Sequence, residues 1–276
     1  MNTRLMPSPR EAAVLDTDEL RDAFLLEELF SPGEIQLVYT DLDRAIIGSA
    51  IPIGGALTLP TDDALKADFF CQRRELGVLN LGGAGSVTVD GVAFEMGPHD
   101  CLYIGRGSRE VVFTSAAAET PARFYLVSYP AHAVHPTTKA SRPDANRVEL
   151  GSRDEANERT IFQYIHEGGI QSCQLVMGFT EFKPGGIWNT MPCHTHGRRS
   201  EVYCYFDVPP AHRVLHLMGE PNQTRPLWVA DRQVVLSPPW SIHCGCGTAS
   251  YRFCWAMGGE NQAFTDMDRV EIAALR

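Results

Sequence analysis

The stretch that decides the fold runs from Gly185 to Asp207 and reads Gly-Gly-Ile-Trp-Asn-Thr-Met-Pro-Cys-His-Thr-His-Gly-Arg-Arg-Ser-Glu-Val-Tyr-Cys-Tyr-Phe-Asp. In an extended strand, side chains at positions i and i+2 point to the same face, so His194 and His196 should converge without a helix. Residues 197–200 suit a tight turn, and the β-branched and aromatic run after them is typical of a strand. The turn should therefore return Glu201 beside the two imidazoles.

A further histidine extends this group. His243 follows the turn-forming stretch Pro238-Pro-Trp-Ser-Ile, also in a β-rich region. A lone histidine in a strand usually satisfies a hydrogen bond or lies at the surface, but this combination of spacings is hard to produce by accident. Three imidazole nitrogens and a carboxylate oxygen form a mixed site that suits zinc, iron, manganese or nickel. The sequence thus predicts a metal site of His194, His196, Glu201 and His243.

Composition narrows the classes of function. The chain has 276 residues, of which 44% are hydrophobic, enough for one large β domain or two of ordinary size. The 24 basic and 34 acidic residues give a net charge of −10, and no basic run exists that could follow a nucleic acid. Without an apolar leader or a run of 18 apolar residues, we expect no membrane contact and a cytoplasmic location. The eight cysteines contain no Cys-x-x-Cys pair and are expected to be reduced.

Local signals beyond the central stretch are mostly those of strands. Asp16-Thr-Asp-Glu19 looks like a capping box and predicts a short helix over about 17–29. The clearest hairpin is Ser86–Met96, where Asp90-Gly91 predicts a type I′ turn between two alternating runs. The last eleven residues, from Asp266, are consistent with a terminal helix.

Two series of strands are separated by a stretch poor in large apolar residues. We therefore predict an all-β protein of two jelly-roll barrels with short flanking helices. The expected division is an N-terminal barrel with its leading helix over 1–135, an interdomain crossing over 136–159 and a C-terminal metal-binding barrel over 160–276. The two halves show no residue-by-residue repeat.

The His-x-His, Glu and later His pattern is the metal signature of the cupin barrels, and longer motifs make the match closer. These motifs are Arg73–Gly85, Trp188–His196, Arg198–Tyr203, Ser237–His243 and Gly259–Asp268. Together they resemble the 5-keto-4-deoxyuronate isomerase family of pectin degradation, over essentially the whole chain. The resemblance implies a double cupin, a metal-free N-terminal barrel, one zinc per chain on the four ligands named above, and a homohexamer.

The reaction that the resemblance implies is an aldose–ketose isomerisation in uronate catabolism. It would convert 5-dehydro-4-deoxy-D-glucuronate to 3-deoxy-D-glycero-2,5-hexodiulosonate, and the enzyme would be an intramolecular oxidoreductase. Proton abstraction beside a carbonyl needs a base and a group that stabilises the developing charge. Glu201, Glu181 and Tyr203 are the candidates for acid–base catalysis.

The substrate carboxylate needs a cationic partner, for which the guanidinium fork of arginine is well suited. The candidates are Arg198, Arg199, Arg159 and Lys183, and Trp188 is expected to wall the pocket. Two other functions stay open at this point. One is an Fe(II)-dependent cupin oxygenase, since the same ligands suit iron; the other is a non-catalytic double cupin that binds a sugar acid.

Overall fold

The computed structural model describes all 276 residues, which form 24 strands, two α-helices and five short 3-10 helices. The α-helices are α1 (Pro9–Ala12) and α2 (Thr17–Phe24), and the 3-10 helices are Leu42–Arg44, Asp63–Leu65, Phe70–Gln72, Arg142–Asp144 and Ile272–Ala274. The first twelve strands are β1 (Asn2–Arg4), β2 (Leu25–Leu26), β3 (Ile35–Thr40), β4 (Ile46–Ala50), β5 (Leu57–Thr58), β6 (Arg74–Asn80), β7 (Gly85–Val89), β8 (Val92–Met96), β9 (Cys101–Ile104), β10 (Val111–Ser115), β11 (Phe124–Pro130) and β12 (Thr138–Ala140). The others are β13 (Asn146–Leu150), β14 (Arg159–Ile165), β15 (Val176–Phe182), β16 (Trp188–Asn189), β17 (His194–Thr195), β18 (Arg199–Phe206), β19 (Val214–Glu220), β20 (Gln223–Val229), β21 (Val234–Ser237), β22 (Cys244–Gly247), β23 (Arg252–Gly259) and β24 (Asp268–Arg269).

The strands group into two compact units that do not follow a single cut in the sequence. Unit 1 contains residues 1–4, 28–145 and 164–176, and unit 2 contains residues 5–27, 146–163 and 177–276. Each unit has one seven-stranded and one four-stranded sheet. No helix is long and apolar enough to cross a membrane. The predicted all-β architecture is confirmed.

The central strands of the two units have the same order in their sheets. In unit 1 the large sheet runs β1-β3-β4-β11-β6-β9-β12 and the small sheet β5-β10-β7-β8. In unit 2 the corresponding orders are β13-β14-β15-β23-β18-β21-β2 and β16-β22-β19-β20, with β17 and β24 forming a separate pair. With β17 set aside, chain order matches β3-β4-β11-β6-β9 to β14-β15-β23-β18-β21 and the small sheet to its counterpart. The edge strands differ, since β1 pairs with β3 in parallel, β13 pairs with β14 antiparallel, and β2 takes the edge that β12 has in unit 1. The duplication that is invisible in the residues is therefore present in the strand pairing.

The pairing registers also show why only unit 2 can hold the predicted metal site. Glu201 on β18 lies opposite Met257 on β23, and the corresponding position on β6 is Leu76, which lies opposite Ser128 on β11. Leu76 belongs to the apolar cluster that fills unit 1, together with Phe113 and other buried side chains. The position of the carboxylate ligand is thus occupied by a hydrocarbon group in unit 1.

The local signals at the ends of elements are partly confirmed. Asp16 caps α2 and Glu19 completes the capping box, while Asp90 and Gly91 both have positive φ in the turn between β7 and β8, as a type I′ turn requires. The helix ends at Phe24 rather than near residue 29, because Leu25 and Leu26 continue as β2 and pair with β21. Burial against a sheet edge there outweighs the helical pattern.

Two further predictions differ from the structure. The expected C-terminal helix is wrong: Asp268 and Arg269 pair with β17 and only a 3-10 turn follows. The stretch predicted as an interdomain crossing contains β12 and β13, and β13 pairs with β14 along its whole length. The division by contacts also differs from the predicted boundaries, since residues 5–27 group with unit 2 and residues 164–176 with unit 1. The contacts behind these differences are remote in sequence: β2 pairs with β21, β24 pairs with β17, and the backbone N–H groups of residues 173–175 donate to the Glu75 carboxylate, so local patterns do not reveal them.

Candidate metal centre and its pocket

The four predicted ligands come from three separate segments of unit 2. His194 is the first residue of β17, and a turn in which the Arg199 N–H donates to the His196 carbonyl leads into β18. Glu201 is the third residue of β18 and lies opposite Ser237, the last residue of β21. His243 follows β21 after a turn. The alternation of β18 and the register of β21 therefore bring these side chains together.

The ligand atoms of His194, His196, Glu201 and His243 all lie within 4.8 Å of one another. Glu201 Oε2 is 3.1 Å from His196 Nε2 and 2.9 Å from His243 Nε2. His243 Nε2 is in turn 3.1 Å from His194 Nε2. Three of the four residues are buried and His194 is half-buried. This is the convergent nitrogen and oxygen set that the sequence predicts.

Hydrogen bonds on the far side of two rings identify the atoms that face the centre. His196 Nδ1 lies 2.9 Å from the Arg199 carbonyl oxygen, and His243 Nδ1 lies 3.3 Å from that of Ser241. A carbonyl oxygen only accepts, so both Nδ1 atoms carry a proton, and the Nε2 atom of each ring faces Glu201. Lone pairs facing a carboxylate repel unless a cation or a proton lies between them. The donor set therefore fits a divalent metal, and the carbonyl oxygens of Arg199 and Ser241 hold the two rings in orientation.

The pKa shifts within the cluster also favour a metal-binding site. Burial and the neighbouring His243 lower the pKa of His194 to about 3, so this ring is neutral at physiological pH. Burial alone would raise the pKa of Glu201, but the adjacent His243 and His196 lower it below its ordinary value. Burial works against protonation of His196, and the hydrogen bond to Glu201 raises its pKa nevertheless. A permanent carboxylate beside a neutral imidazole is what a metal ligand set requires.

Beside the cluster lies a cavity of about 470 Å³. His194 and Glu201 line it, together with apolar side chains such as Phe253 and Trp255 and polar ones such as Gln163 and Thr180. Concave, mostly apolar sites with a few convergent polar groups are the usual form of small-molecule sites. The metal cluster therefore opens onto a pocket that can hold a small molecule.

The three acid–base candidates are not placed alike. Glu201 and Tyr203 both line the pocket, and Tyr203 Oη is 2.9 Å from Thr190 Oγ1. Burial and then the Glu201 charge raise the pKa of Tyr203 well above its ordinary value, so its phenol stays protonated and can donate. Glu181 does not line the pocket; it is paired with Arg252. Thr180 points to the pocket from the same strand, so Glu181 faces the other side.

Of the four predicted cations, only Arg159 lines the pocket. Its Nη1 donates to the Asn157 carbonyl at 2.8 Å. Arg198 is exposed and Arg199 is fully buried, and both are paired with Asp266, whereas Lys183 is paired with Glu149. Trp188 is half-buried on β16, opposite Cys246, and is not part of the pocket wall.

Several pocket residues were not among the predicted site residues. Arg269 is a second cation in the wall, and Thr190 positions Tyr203. Arg269 lies in the stretch expected to be helical, so no local signal places it near His194. Thr190 has a φ of 49° and precedes the cis peptide between Met191 and Pro192. A threonine before Met-Pro gives no sequence signal for such a role.

A second group of polar side chains lies buried on the other side of Tyr203. His216 is fully buried, and its Nδ1 is 2.7 Å from Tyr205 Oη. Asn189 Nδ2 donates to Tyr251 Oη at 2.7 Å and approaches Tyr205 Oη at 3.4 Å. Burial lowers the pKa of His216 to about 3. This neutral network supports Tyr203 from behind, and its rings pack against the Tyr203 ring.

Comparison with known sequences gives a consistent result. The sequence model of the KduI/IolB family matches residues 26–273. A 4-deoxy-L-threo-5-hexosulose-uronate ketol-isomerase of Halalkalibacterium halodurans is 52% identical over 276 residues, covering all of both chains. A protein of the same name from Formosa agariphila is 51% identical over 274 residues, which are 99% of this chain and 98% of that protein.

Solved structures extend the likeness to the fold alone. A crystal structure of an IolB-like protein from Salmonella typhimurium covers 90% of this chain and 96% of its own, with a TM-score of 0.72 at 18% identity. An oxalate decarboxylase of Lactobacillus farciminis in complex with formate covers 86% of this chain and 83% of its own, with a TM-score of 0.58 at 11% identity. Both support the double-barrel architecture.

Proposed function

The chain belongs to the KduI/IolB family, and we propose that it is a ketol-isomerase that converts 5-dehydro-4-deoxy-D-glucuronate to 3-deoxy-D-glycero-2,5-hexodiulosonate. This substrate is the compound in the names of the relatives, 4-deoxy-L-threo-5-hexosulose uronate. The observation that carries the proposal is the group of three histidines and one glutamate at the edge of the pocket. The enzyme is thus an intramolecular oxidoreductase that acts in the breakdown of pectin-derived uronates.

We infer zinc as the resident metal, one per chain, held by His194, His196, Glu201 and His243. The donor set suits zinc, iron(II) or manganese(II), and a reaction without net redox change needs no redox-active ion. When bound, the metal supplies a positive charge that stabilises negative charge developing on substrate oxygens. The homohexameric assembly and the cytoplasmic location expected from the sequence stay predictions.

Glu201 is the best placed of the candidate proton acceptors. Its Oε2 faces His196 and His243, while its Oε1 forms no hydrogen bond within the chain, and the residue lines the pocket. Its lowered pKa keeps this carboxylate ionised at physiological pH; it makes Glu201 a weak base, but the protonated form a strong acid that readily returns the proton to a neighbouring carbon. Transfer of one proton from C2 to C1 of the substrate requires both steps.

Tyr203 is placed to donate a hydrogen bond to a substrate oxygen. Its raised pKa keeps the phenol protonated, and Thr190 holds the phenol oxygen in place. Arg159 is the one predicted cation at the pocket and is proposed to contact the substrate carboxylate. Glu181, Arg198, Arg199, Lys183 and Trp188 have no proposed contact with the substrate.

The test is turnover of 5-dehydro-4-deoxy-D-glucuronate by chelator-treated protein to which zinc is restored stepwise. We expect activity to return at one zinc per chain, and to be absent in His194→Ala but retained in the control His132→Ala, whose side chain is exposed in unit 1. Turnover that required iron and oxygen would favour an oxygenase. Tight binding of the substrate without turnover would favour a sugar-acid-binding protein.

A further inference from the structure

The last seventeen residues, 260–276, form a segment that we name the C-terminal strap. Within the strap, β24 pairs with β17, and the Val270 N–H donates to the Cys193 carbonyl at 3.0 Å. Asp266 is paired with the fully buried Arg199 at 2.7 Å. At the end of the chain, the Arg276 N–H donates to the Pro221 carbonyl. The strap is therefore held at three places against the rest of unit 2.

The strap supplies one side of the pocket. Phe264, Met267 and Arg269 all line the cavity, and the Phe264 ring meets Trp255 edge-to-face at 6.1 Å. Two of these three side chains are apolar, so Arg269 is the strap's only cation at the pocket. A segment that contributes a charge to a mostly apolar wall is suited to orient a ligand by its own charged group.

The register of β17 and β24 determines the direction of Arg269. Arg269 lies directly opposite His194, and Asp268 lies opposite Thr195. In an antiparallel pair, directly opposed side chains project to the same face, and their neighbours along each strand project to the other. Arg269 therefore projects to the same side as the metal ligand His194, which agrees with the presence of both in the pocket wall.

The state of this guanidinium separates it from the other cations near the site. Arg198 and Arg199 are both paired with Asp266, and Arg159 donates to the Asn157 carbonyl. The guanidinium of Arg269 forms no ion pair and no hydrogen bond within the chain. An exposed arginine is usually a solvated surface charge, but this one lines the pocket beside a metal ligand with all five of its donors available.

We propose that Arg269 binds the carboxylate of the substrate and thereby determines the specificity of the site for sugar acids over neutral sugars. This inference rests on the proposed function for the identity of the substrate. The reacting carbons and the carboxylate are at opposite ends of a six-carbon chain, so the anion's partner must lie near the metal cluster but outside it. Arg269 meets that requirement, with Arg159 as a second cation in the same wall.

The experiment compares zinc-loaded wild type with Arg269→Met, Arg269→Lys and the control Arg276→Ala, which removes an exposed arginine from the same strap. For Arg269→Met we expect KM for the substrate to rise about ten- to one-hundredfold with kcat within about threefold. Arg269→Lys should recover part of the loss, since it restores the charge without the fork. Arg276→Ala should leave both constants unchanged. The zinc content of each variant shows whether β17 is intact.

A binding measurement separates failure of this inference from failure of the proposed function. D-galacturonate, a stable hexuronate, and neutral D-galactose are titrated by calorimetry into wild type and Arg269→Met. If the wild type prefers the acid and the variant does not, Arg269 reads the carboxylate, even if the isomerase substrate proves to be different. An unchanged KM for Arg269→Met, or an unchanged preference for the acid, overturns the inference.

Discussion

The buried pair of Arg199 and Asp266 allows a test of what holds the strap over the pocket. The Arg199 side chain is 0% exposed and that of Asp266 16% exposed, and the two are 2.7 Å apart. Arg199 Nη1 also donates to Asn261 Oδ1 at 2.8 Å. Asp266 has two further donors, Asn261 Nδ2 at 2.8 Å and the exposed Arg198. Asp266 therefore keeps other partners when Arg199 is removed, whereas Arg199 has no other carboxylate when Asp266 is removed.

We expect Asp266→Asn to cost more than Arg199→Met. Asp266→Asn leaves a buried guanidinium without a counter-charge, and breaking such a pair costs roughly 3 kcal/mol or more. Arg199→Met leaves a carboxylate that water, Asn261 and Arg198 still reach, and methionine keeps most of the apolar volume. Loss of its charged hydrogen bonds should cost about 1.5 kcal/mol. The double variant buries no charge and should resemble Arg199→Met, not the sum.

The free energy in question is that of detaching the strap, so the measurement is native-state hydrogen exchange at the Val270 amide, which bonds to the Cys193 carbonyl. The cost of roughly 3 kcal/mol in Asp266→Asn accelerates exchange of this amide by about 150-fold, and the cost of about 1.5 kcal/mol in Arg199→Met accelerates it by about tenfold. Arg198→Met is the control, because this arginine pairs with the same carboxylate from a side chain that is 44% exposed. It should change exchange by less than about fivefold. Equal effects of Asp266→Asn and Arg199→Met would refute the reasoning.

Three other predictions concern Glu75, the pair of candidates Tyr203 and Glu181, and the pH dependence of Asp266. Glu75 in unit 1 is fully buried and accepts hydrogen bonds from three backbone N–H groups at 2.7–2.8 Å and from Tyr103 Oη. Glu75→Gln turns an NH₂ group toward at least one of these donors and should lower the free energy of unfolding by about 3 kcal/mol. Urea denaturation measures this loss, and an unchanged zinc content is the control. Tyr203→Phe should lower kcat about ten- to one-hundredfold with little change in KM, whereas Glu181→Gln should leave both constants unchanged. A loss of kcat in Glu181→Gln with normal kcat in Tyr203→Phe would indicate that Glu181, not Tyr203, takes part in catalysis. Burial opposes ionisation of Asp266, but Asn261 and the two arginines lower its pKa below the usual 3.8. The stabilising contribution of the carboxylate is therefore complete above about pH 4 and is lost as pH falls through the lowered pKa. The difference in exchange rate between wild type and Asp266→Asn should shrink only below that pH, and a difference that vanished near pH 6 would contradict a lowered pKa.

Much of the site follows from short-range pattern. Alternation along an extended chain places His194 and His196 on one face, and one turn returns Glu201 beside them. The same parity rule places Tyr203 with Glu201 in the pocket wall. These inferences need only the two-residue period of a strand and the turn that follows it, so the sequence determines them without knowledge of the tertiary fold.

The predictions that failed needed information about partners far away in sequence. Thr180 and Glu181 are adjacent on β15, and the sheet's position decides that the threonine faces the pocket while the glutamate pairs with Arg252. Similarly, Arg199 shares the parity of Glu201, but its guanidinium is neutralised by Asp266, 67 positions along the chain. The alternation of a strand separates its side chains into two faces. It does not show which of those side chains will form an ion pair with a carboxylate from a distant segment.

The sequence by itself indicated that this chain is all-β and identified four residues that could hold a metal ion, because strand period, turn residues and ligand type are all visible in local sequence. Only the tertiary structure decided that residues 5–27 group with unit 2 and that the strap pairs Arg269 with His194. Backbone hydrogen bonds between strands use the same groups in every residue, so the choice of partner leaves little trace in local sequence. It is made by the burial and charge pairing of segments that meet only in the folded chain.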